Sequence, residues 1–137
     1  MITLNPYINF KGCCREAMTF YKDCIGGNLF FQTVGGSPME SQCPPELKDQ
    51  VLHSSLQNGE LVIMGSDMSY PGFLQGNNIS LSVNCSSETE LDTLFASISE
   101  GGKLIHALAD TFWGAKFGVL EDKFGIKWML NYEKSSR

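Results

Sequence analysis

The stretch NISLSVNCSSETELDTLFASISEGG, residues 78–102, carries the reading on which the fold depends. It opens with Ile79, Leu81 and Val83 alternating against Asn78, Ser80 and Ser82, the period of two that marks a strand. The period then changes. Leu91, Leu94, Phe95 and Ile98 fall on one helical face, and Ser87 followed by Glu90 forms a capping box in which each side chain serves a backbone N–H of the other. Gly101-Gly102 closes the helix, since glycine adopts the left-handed C′ conformation without Cβ strain. Upstream, NPYINFKGCCREAMTFYKDCIGG, residues 5–27, repeats this plan. Leu4, Ile8 and Phe10 alternate with Asn5, Tyr7 and Asn9, and Pro6 suits an edge or strand start. Cys13, Ala17, Phe20, Tyr21 and Cys24 then make an apolar stripe ended by Gly26-Gly27.

Each glycine pair leads into three strands: residues 28–34, 51–57 and 60–65 in the first copy, 103–108, 115–121 and 126–132 in the second. Asn58-Gly59 reads as a hairpin turn, since both residues tolerate positive φ, and Asp122 to Gly125 turns the chain before the last strand. Asn5 and Asn78 begin the copies 73 positions apart, while Gly26 and Gly101 are 75 apart. A repeated supersecondary unit buries its apolar faces by packing on its copy. The expectation is one α+β domain over residues 1–137, made of modules at about 1–66 and 77–137. The segment 35–50 reads as a mobile surface loop, and 66–77, with Tyr70-Pro71-Gly72, as a second loop.

The composition excludes several function classes. A chain of 137 residues with 42% apolar content sustains one ordinary core, and a net charge of −5 repels phosphate backbones and anionic membranes alike. No nucleic-acid or membrane partner is expected. No apolar run reaches membrane-span length, and residues 1–6 lack the charged and apolar regions of an export signal, so a cytoplasmic location is expected. The five cysteines, Cys13, Cys14, Cys24, Cys43 and Cys85, read as reduced thiols without zinc-site spacing. Cys24 and Cys85 read as packing residues; a helix N-terminus favours the thiolate at Cys14, but with no partner base in view Cys14 reads as structural or incidental and not as a nucleophile.

The two modules, together with Asn5-Pro6-Tyr7, Phe20-Tyr21 before Gly26-Gly27, Asp110-Thr111-Phe112-Trp113-Gly114, and Asp122-Lys123-Phe124-Gly125 before Trp128-Met129-Leu130, carry a resemblance over essentially the whole chain. It resembles the vicinal-oxygen-chelate superfamily of glyoxalase I, extradiol dioxygenases and bleomycin- and fosfomycin-resistance proteins, and within it the PhnB-like branch. The resemblance implies two βαβββ modules whose curved sheets form a cup, in a homodimer. It also implies a metal held from four strand positions, which align with Asn5, Met64, Asn78 and Met129. Two thioethers and two carboxamides offer no anionic ligand to a divalent cation, so neither metal nor other cofactor is expected. The methyltransferase label common in this branch finds no cofactor-cradling glycine loop here, because both glycine pairs close helices.

Within that cup, residues opposite the helix-facing alternates become candidates for ligand contact: Asn5, Tyr7, Ser55, Met64, Asn78, Ser80 and Met129, with Trp113 at the mouth. His53 is the candidate acid/base, set against a core histidine bonded to Tyr7, Ser55, Asn78 or water. His106 reads as surface or core, Asp110 as a turn cap, Asp122 as structural and Asp67 as solvated. Three functions follow. The first is a metal-independent small-molecule-binding protein. The second is an enzyme of lyase, isomerase or oxygenase type using His53. The third is a non-catalytic dimeric scaffold. The sequence leaves open whether any reaction is catalysed.

Overall fold

A computed structural model describes residues 1–68 and 71–134; Tyr70, part of the expected second loop, lies outside the described residues. The chain divides into two compact units, Met1–Leu74 and a second from Gln75 onward. The first unit contains β1 (Tyr7–Asn9), α1 (Cys14–Ile25), β2 (Asn28–Thr33), β3 (Val51–Asn58) and β4 (Leu61–Ser66). The second contains β5 (Ser80–Asn84), α2 (Glu88–Ser99), β6 (Lys103–Asp110), β7 (Ala115–Glu121) and β8 (Lys127–Glu133). The sheets run β1-β4-β3-β2 and β5-β8-β7-β6, with the first strand of each parallel to the last and the other pairings antiparallel. This is the expected βαβββ module, twice.

The glycine pairs explain why the plan repeats. Gly26 and Gly101 leave the helices at φ 84 and φ 79, where a Cβ would strain the backbone. Gly26 has ψ −173, so it turns the chain into an extended segment and not into the left-handed helical C′ geometry expected of it. The second glycine of each pair does different work. A Cβ on Gly27 would run into the Gln57 carbonyl at the end of β3, and one on Gly102 into the Glu121 carbonyl at the end of β7. Helix exit and strand backbone therefore touch at equivalent places in both units.

The second helix follows its sequence pattern, with Leu91, Leu94, Phe95 and Ile98 buried. Ser87 Oγ accepts from Glu90 N at 3.1 Å, but Glu90 returns its carboxylate to Ser86, at 2.8 Å from its N–H and 3.0 Å from its hydroxyl. The box is displaced by one residue. The first helix departs further from expectation. Its buried face is Cys14, Ala17, Met18 and Tyr21, so Cys14 and Met18 point inward where Cys13, Phe20 and Cys24 were expected, and those three are only half-buried. Cys13 at the N-cap makes no side-chain cap.

Asp67 caps α1 in its place. Its Oδ1 accepts from Gly12 N and Cys14 N, both at 2.8 Å, and its Oδ2 from Val51 N at 3.0 Å. Asp67 N donates to Val51 O at 2.8 Å. The side chain expected to be solvated is buried, because three backbone donors converge on it.

Other expectations change at element ends. Residues 3–6 form no strand, and Leu4 and Ile79, expected to face the helices, are 96% and 75% exposed. The β3–β4 hairpin pairs Asn58 with Leu61, leaving Gly59-Glu60 as the loop. Gly59 has φ 61 while Glu60 does not take positive φ, the pattern of a type II′ turn in place of the expected Asn58-Gly59 turn. Asn58 is freed to donate to Ile25 O at 3.0 Å, at the C-terminal end of α1. The segment 35–50 holds two short 3₁₀ turns and is pinned by Val34 N→Gln50 O at 3.0 Å and Gly35 N→Lys48 O at 2.8 Å.

Replacing Asp67 with Ala strands three backbone donors. With charged-acceptor bonds worth about 1.5–3 kcal/mol each and partial rescue by water, a loss on the order of 3 kcal/mol is expected. Urea unfolding of Asp67→Ala should show a midpoint shifted down accordingly, whereas Asp49→Ala, at an exposed position of the 35–50 segment, should match wild type.

Candidate functional site

In the first unit, α1 covers one face of the sheet. Ser54 and Leu56 are buried on that side, and the Ser54 hydroxyl donates to Gly65 O at 2.9 Å while contacting Cys14 Sγ at 3.3 Å. Alternation turns His53 and Ser55 to the opposite face, as expected. Register places Tyr7 beside Met64, Met64 beside Ser55 and Ser55 beside Phe30, so these four form one row across all four strands. His53 stands opposite Gln32 in the next row.

Tyr7 and His53 belong to strands that are not neighbours, because β4 runs between β1 and β3. Two strand spacings put their backbones roughly 10 Å apart. Both side chains lean over β4 to meet, with Tyr7 Oη 3.0 Å from His53 Nδ1 and ring centroids 5.6 Å apart in a stacked arrangement. Tyr7 is thus the partner for His53 among those the sequence offered. The pair is open to solvent, Tyr7 being 51% exposed.

In the second unit, Trp128 and Leu130 are buried toward α2, and Asp122 receives Trp128 Nε1 at 2.8 Å together with the N–H groups of Phe124 and Ile126. Asp122 is structural, as expected. The opposite face holds Ser80 beside Lys127, and Ser82, Met129 and Val119 in one row. Trp113, 54% exposed, lies 6.4 Å from the Phe117 ring and in T-shaped contact with Phe112. His106 is exposed, with Nδ1 at 2.9 Å from Ala107 O. The turn at 111–114 is closed by Thr111, whose Oγ1 accepts from Ala115 N at 3.0 Å. Asp110, expected to cap that turn, instead pairs with Lys134 at 2.6 Å, and this hydrogen bond holds its carboxyl below the usual range.

The structure therefore gathers Tyr7, His53, Ser55 and Met64 on one face, and Ser80, Met129 and Trp113 on a face of the other unit. Asn5 and Asn78 precede β1 and β5 and are exposed. The register puts Tyr7, not Asn5, beside Met64 and Ser82, not Asn78, beside Met129. Tyr7 and Ser82 are 75 positions apart, the spacing of the glycine pairs, so one offset runs from the first strand to the helix exit where the asparagines suggested 73. None of these four residues is a carboxylate or an imidazole. Among the described residues, no group of three or more His, Cys, Asp or Glu side chains could hold a metal ion. This donor set does not fit the divalent cation that the resemblance implies.

Sequence reasoning overlooked Phe30 and Gln32, which share the His53 face. The signal was present in Phe30-Phe31: Phe31 lies on the α1 side under Arg15, 5.0 Å from its ring, so Phe30 must point the other way, where it is 57% exposed.

Cys14 is buried, in keeping with a structural role, and its pKa moves opposite to the helix-dipole effect. Burial pushes its thiol up to about 11, and the Asp67 charge adds to this, with the Ser54 hydrogen bond offsetting only part. Burial likewise raises Cys85 to about 11. Among the described residues no helix is long and apolar enough to cross a membrane.

The chain matches, over residues 3–131, the family model described as 3-demethylubiquinone-9 3-methyltransferase. It is 37% identical to protein PA1353 from Pseudomonas aeruginosa, whose crystal structure superposes with a TM-score of 0.85 over 98% of this chain and 100% of that one. A PhnB protein from Bacillus cereus, described as a putative 3-demethylubiquinone-9 3-methyltransferase, gives TM-score 0.73 at 24% identity, over 96% and 99% of the two chains. A glyoxalase/bleomycin resistance protein/dioxygenase family enzyme from Burkholderia phytofirmans gives 0.62 at 17% identity, over 95% of each chain.

Thiol chemistry gives a direct check. In native protein, iodoacetamide should label Cys13, Cys24 and Cys43 well before Cys14 and Cys85, with denaturant abolishing the difference by mass spectrometry. The raised pKa also fixes a sign. An unfolded Cys14 ionises from its ordinary 9.0, while the folded one keeps its proton to about 11. Its contribution to stability is complete below pH 9 and is lost as pH rises toward 11, so Cys14→Ala should flatten the decline of the urea midpoint across that window.

Proposed function

We propose a function that starts from kinship: the chain belongs to the family described as 3-demethylubiquinone-9 3-methyltransferase, and it shares the fold of glyoxalase and bleomycin-resistance proteins. The reading is a PhnB-like protein that binds a small molecule without the metal quartet of the superfamily. The observation that carries it is the Tyr7–His53 pair, a polar group held in place on a face that also carries Asn9, Ser55, Met64, Phe30 and Gln32. Small-molecule sites combine apolar surface with a few oriented polar groups, and this face offers both. Ser80, Trp113 and Met129 are the ligand contacts proposed from the second unit, with Asn5 and Asn78 at the strand entrances.

Methyl transfer is not assigned. A methyl-donor cofactor of nucleotide type calls for glycines opening a helix, where backbone N–H groups face the ligand. Here each glycine pair leaves a helix C-terminus and presses on strand backbone. A second reading, an enzyme with His53 as acid/base, rests on the same hydrogen bond, which orients the imidazole. Turnover by purified protein would separate it from simple binding.

A homodimer is the proposed assembly. The edge strand β6 is exposed along most of its length, with Leu104 56% and Ile105 49% exposed, and Phe112 beyond it is 97% exposed. An apolar edge of this kind calls for a cover. The proposed partner is a second copy, with neither nucleic acid nor membrane, in keeping with an acidic chain, and the proposed location is the cytoplasm.

Native mass spectrometry of purified protein should show a dimer carrying a small organic adduct and no stoichiometric metal. His53→Ala should stay folded, since its face is not the one packed on α1. Its adduct occupancy should fall a few-fold, in line with a neutral hydrogen bond of about 0.5–1.5 kcal/mol. One metal per chain, lost on Asn5→Ala or Asn78→Ala, would overturn the metal-free reading. Unchanged occupancy in His53→Ala would remove His53 from the site.

A further inference from the structure

His53 is held at one ring nitrogen and open at the other, and this asymmetry bears on where its proton sits. Nδ1 lies 3.0 Å from Tyr7 Oη, and among the described residues no other hydrogen bond reaches the ring. A neutral imidazole has one N–H and one lone pair, so the contact allows two arrangements. In one, the phenol donates to Nδ1 and the proton stays on Nε2. In the other, Nδ1–H donates to the phenol oxygen and Nε2 is a bare base. A phenol is a strong donor and a poor acceptor, because its oxygen lone pair is delocalised into the ring, whereas an imidazole lone pair is a good acceptor. The first arrangement matches the better donor to the better acceptor.

We infer that Tyr7 donates to Nδ1, that neutral His53 therefore presents Nε2–H, and that this face selects ligands by an acceptor oxygen, a carbonyl or a carboxylate. The inference rests on the small-molecule reading above and names its ligand class. Tyr7 is then a positioning residue that sets the tautomer, and His53 acts as a donor to the ligand in its neutral state. The surrounding strands leave that role to the ligand. Asn9, Phe30, Gln32, Ser55 and Met64 share the face with the pair, and none is a carboxylate, so no acidic strand residue competes for the N–H. The Gln32 amide nitrogen donates to Thr33 O at 3.1 Å, and among the described residues no hydrogen bond joins its oxygen to His53.

Long-range ¹H–¹⁵N correlation spectra of histidine-labelled protein, at a mildly alkaline pH, read the tautomer directly. His53→Gln distinguishes the His53 signals from those of His106. The expected pattern is a protonated Nε2 and a pyridine-like Nδ1 in wild type, relaxing toward the mixture of a free imidazole in Tyr7→Phe. Benzoate should shift the His53 signals saturably, and more weakly in Tyr7→Phe, while benzylammonium, which has donors only, should leave them in place. A protonated Nδ1 in wild type overturns the inference whatever binds. Benzylammonium acting in place of benzoate overturns the ligand class. The adduct seen or missing in the native mass spectrum judges the binding reading independently of both.

Discussion

A carboxylate with three backbone donors around it organises the first unit. Asp67 takes the N–H groups of Gly12 and Cys14, where α1 begins without a cap of its own, and the N–H of Val51, where β3 begins. Helix starts carry unsatisfied donors and partial positive charge, so a buried carboxylate there is favourable on two grounds. Because Asp67 directly follows β4, one side chain ties together the helix and two strands of the sheet. Its consequences reach the outer face. Tyr7 lies on β1, just before the chain enters α1, and His53 lies two residues past Val51. The meeting of those side chains over β4 depends on β1 and β3 being held in register on either side of it.

The second unit solves the same problem locally. Ser87 caps α2 from one residue before the helix, and among the described residues no remote carboxylate is recruited to that cap. The shared parts of the two units are backbone contacts. In both, a strand-exit N–H bonds a carbonyl of the last strand, Phe10 N to Ser66 O at 2.8 Å and Cys85 N to Asn131 O at 2.7 Å. In both, the second glycine lies against a strand carbonyl. Side chains diverge where the backbone does not constrain them. Ser54, hydrogen-bonded under α1, corresponds in register to Gly118, where a Cβ would meet the Phe95 ring of α2. One unit fills that position with a hydroxyl, the other with an aromatic edge from its helix. Where the two units need only the same backbone, their outer faces can take separate chemistry, an imidazole–phenol pair on one and an indole–phenylalanine cluster on the other.

Much of this was legible in the chain. Element order, the apolar face of α2, the position of His53 on the face away from α1 and the structural role of Asp122 follow from periodicity and turn chemistry, which act over a few residues. The candidate site was legible in part: alternation separates His53 and Ser55 from Ser54 and Leu56, and the same rule applied to Phe30-Phe31 yields Phe30. The apolar face of α1 was misread because Cys, Ala and Phe occur on both sides of it. Only packing against Ser54 and the strands selects Cys14 and Met18 over Cys13 and Phe20.

What the sequence by itself determined is the repeated βαβββ order and the need for glycine at each helix exit, since both arise from local backbone geometry. Tertiary structure alone decided the rest. Asp67 reads as a solvated acid until distant N–H groups close on it, and the helix N-terminus that would lower the Cys14 pKa is outweighed by burial, which raises it to about 11. The pairing of Tyr7 with His53 joins residues 46 positions apart on non-neighbouring strands. Strand order and register set that distance, and neither is written in the residues that meet.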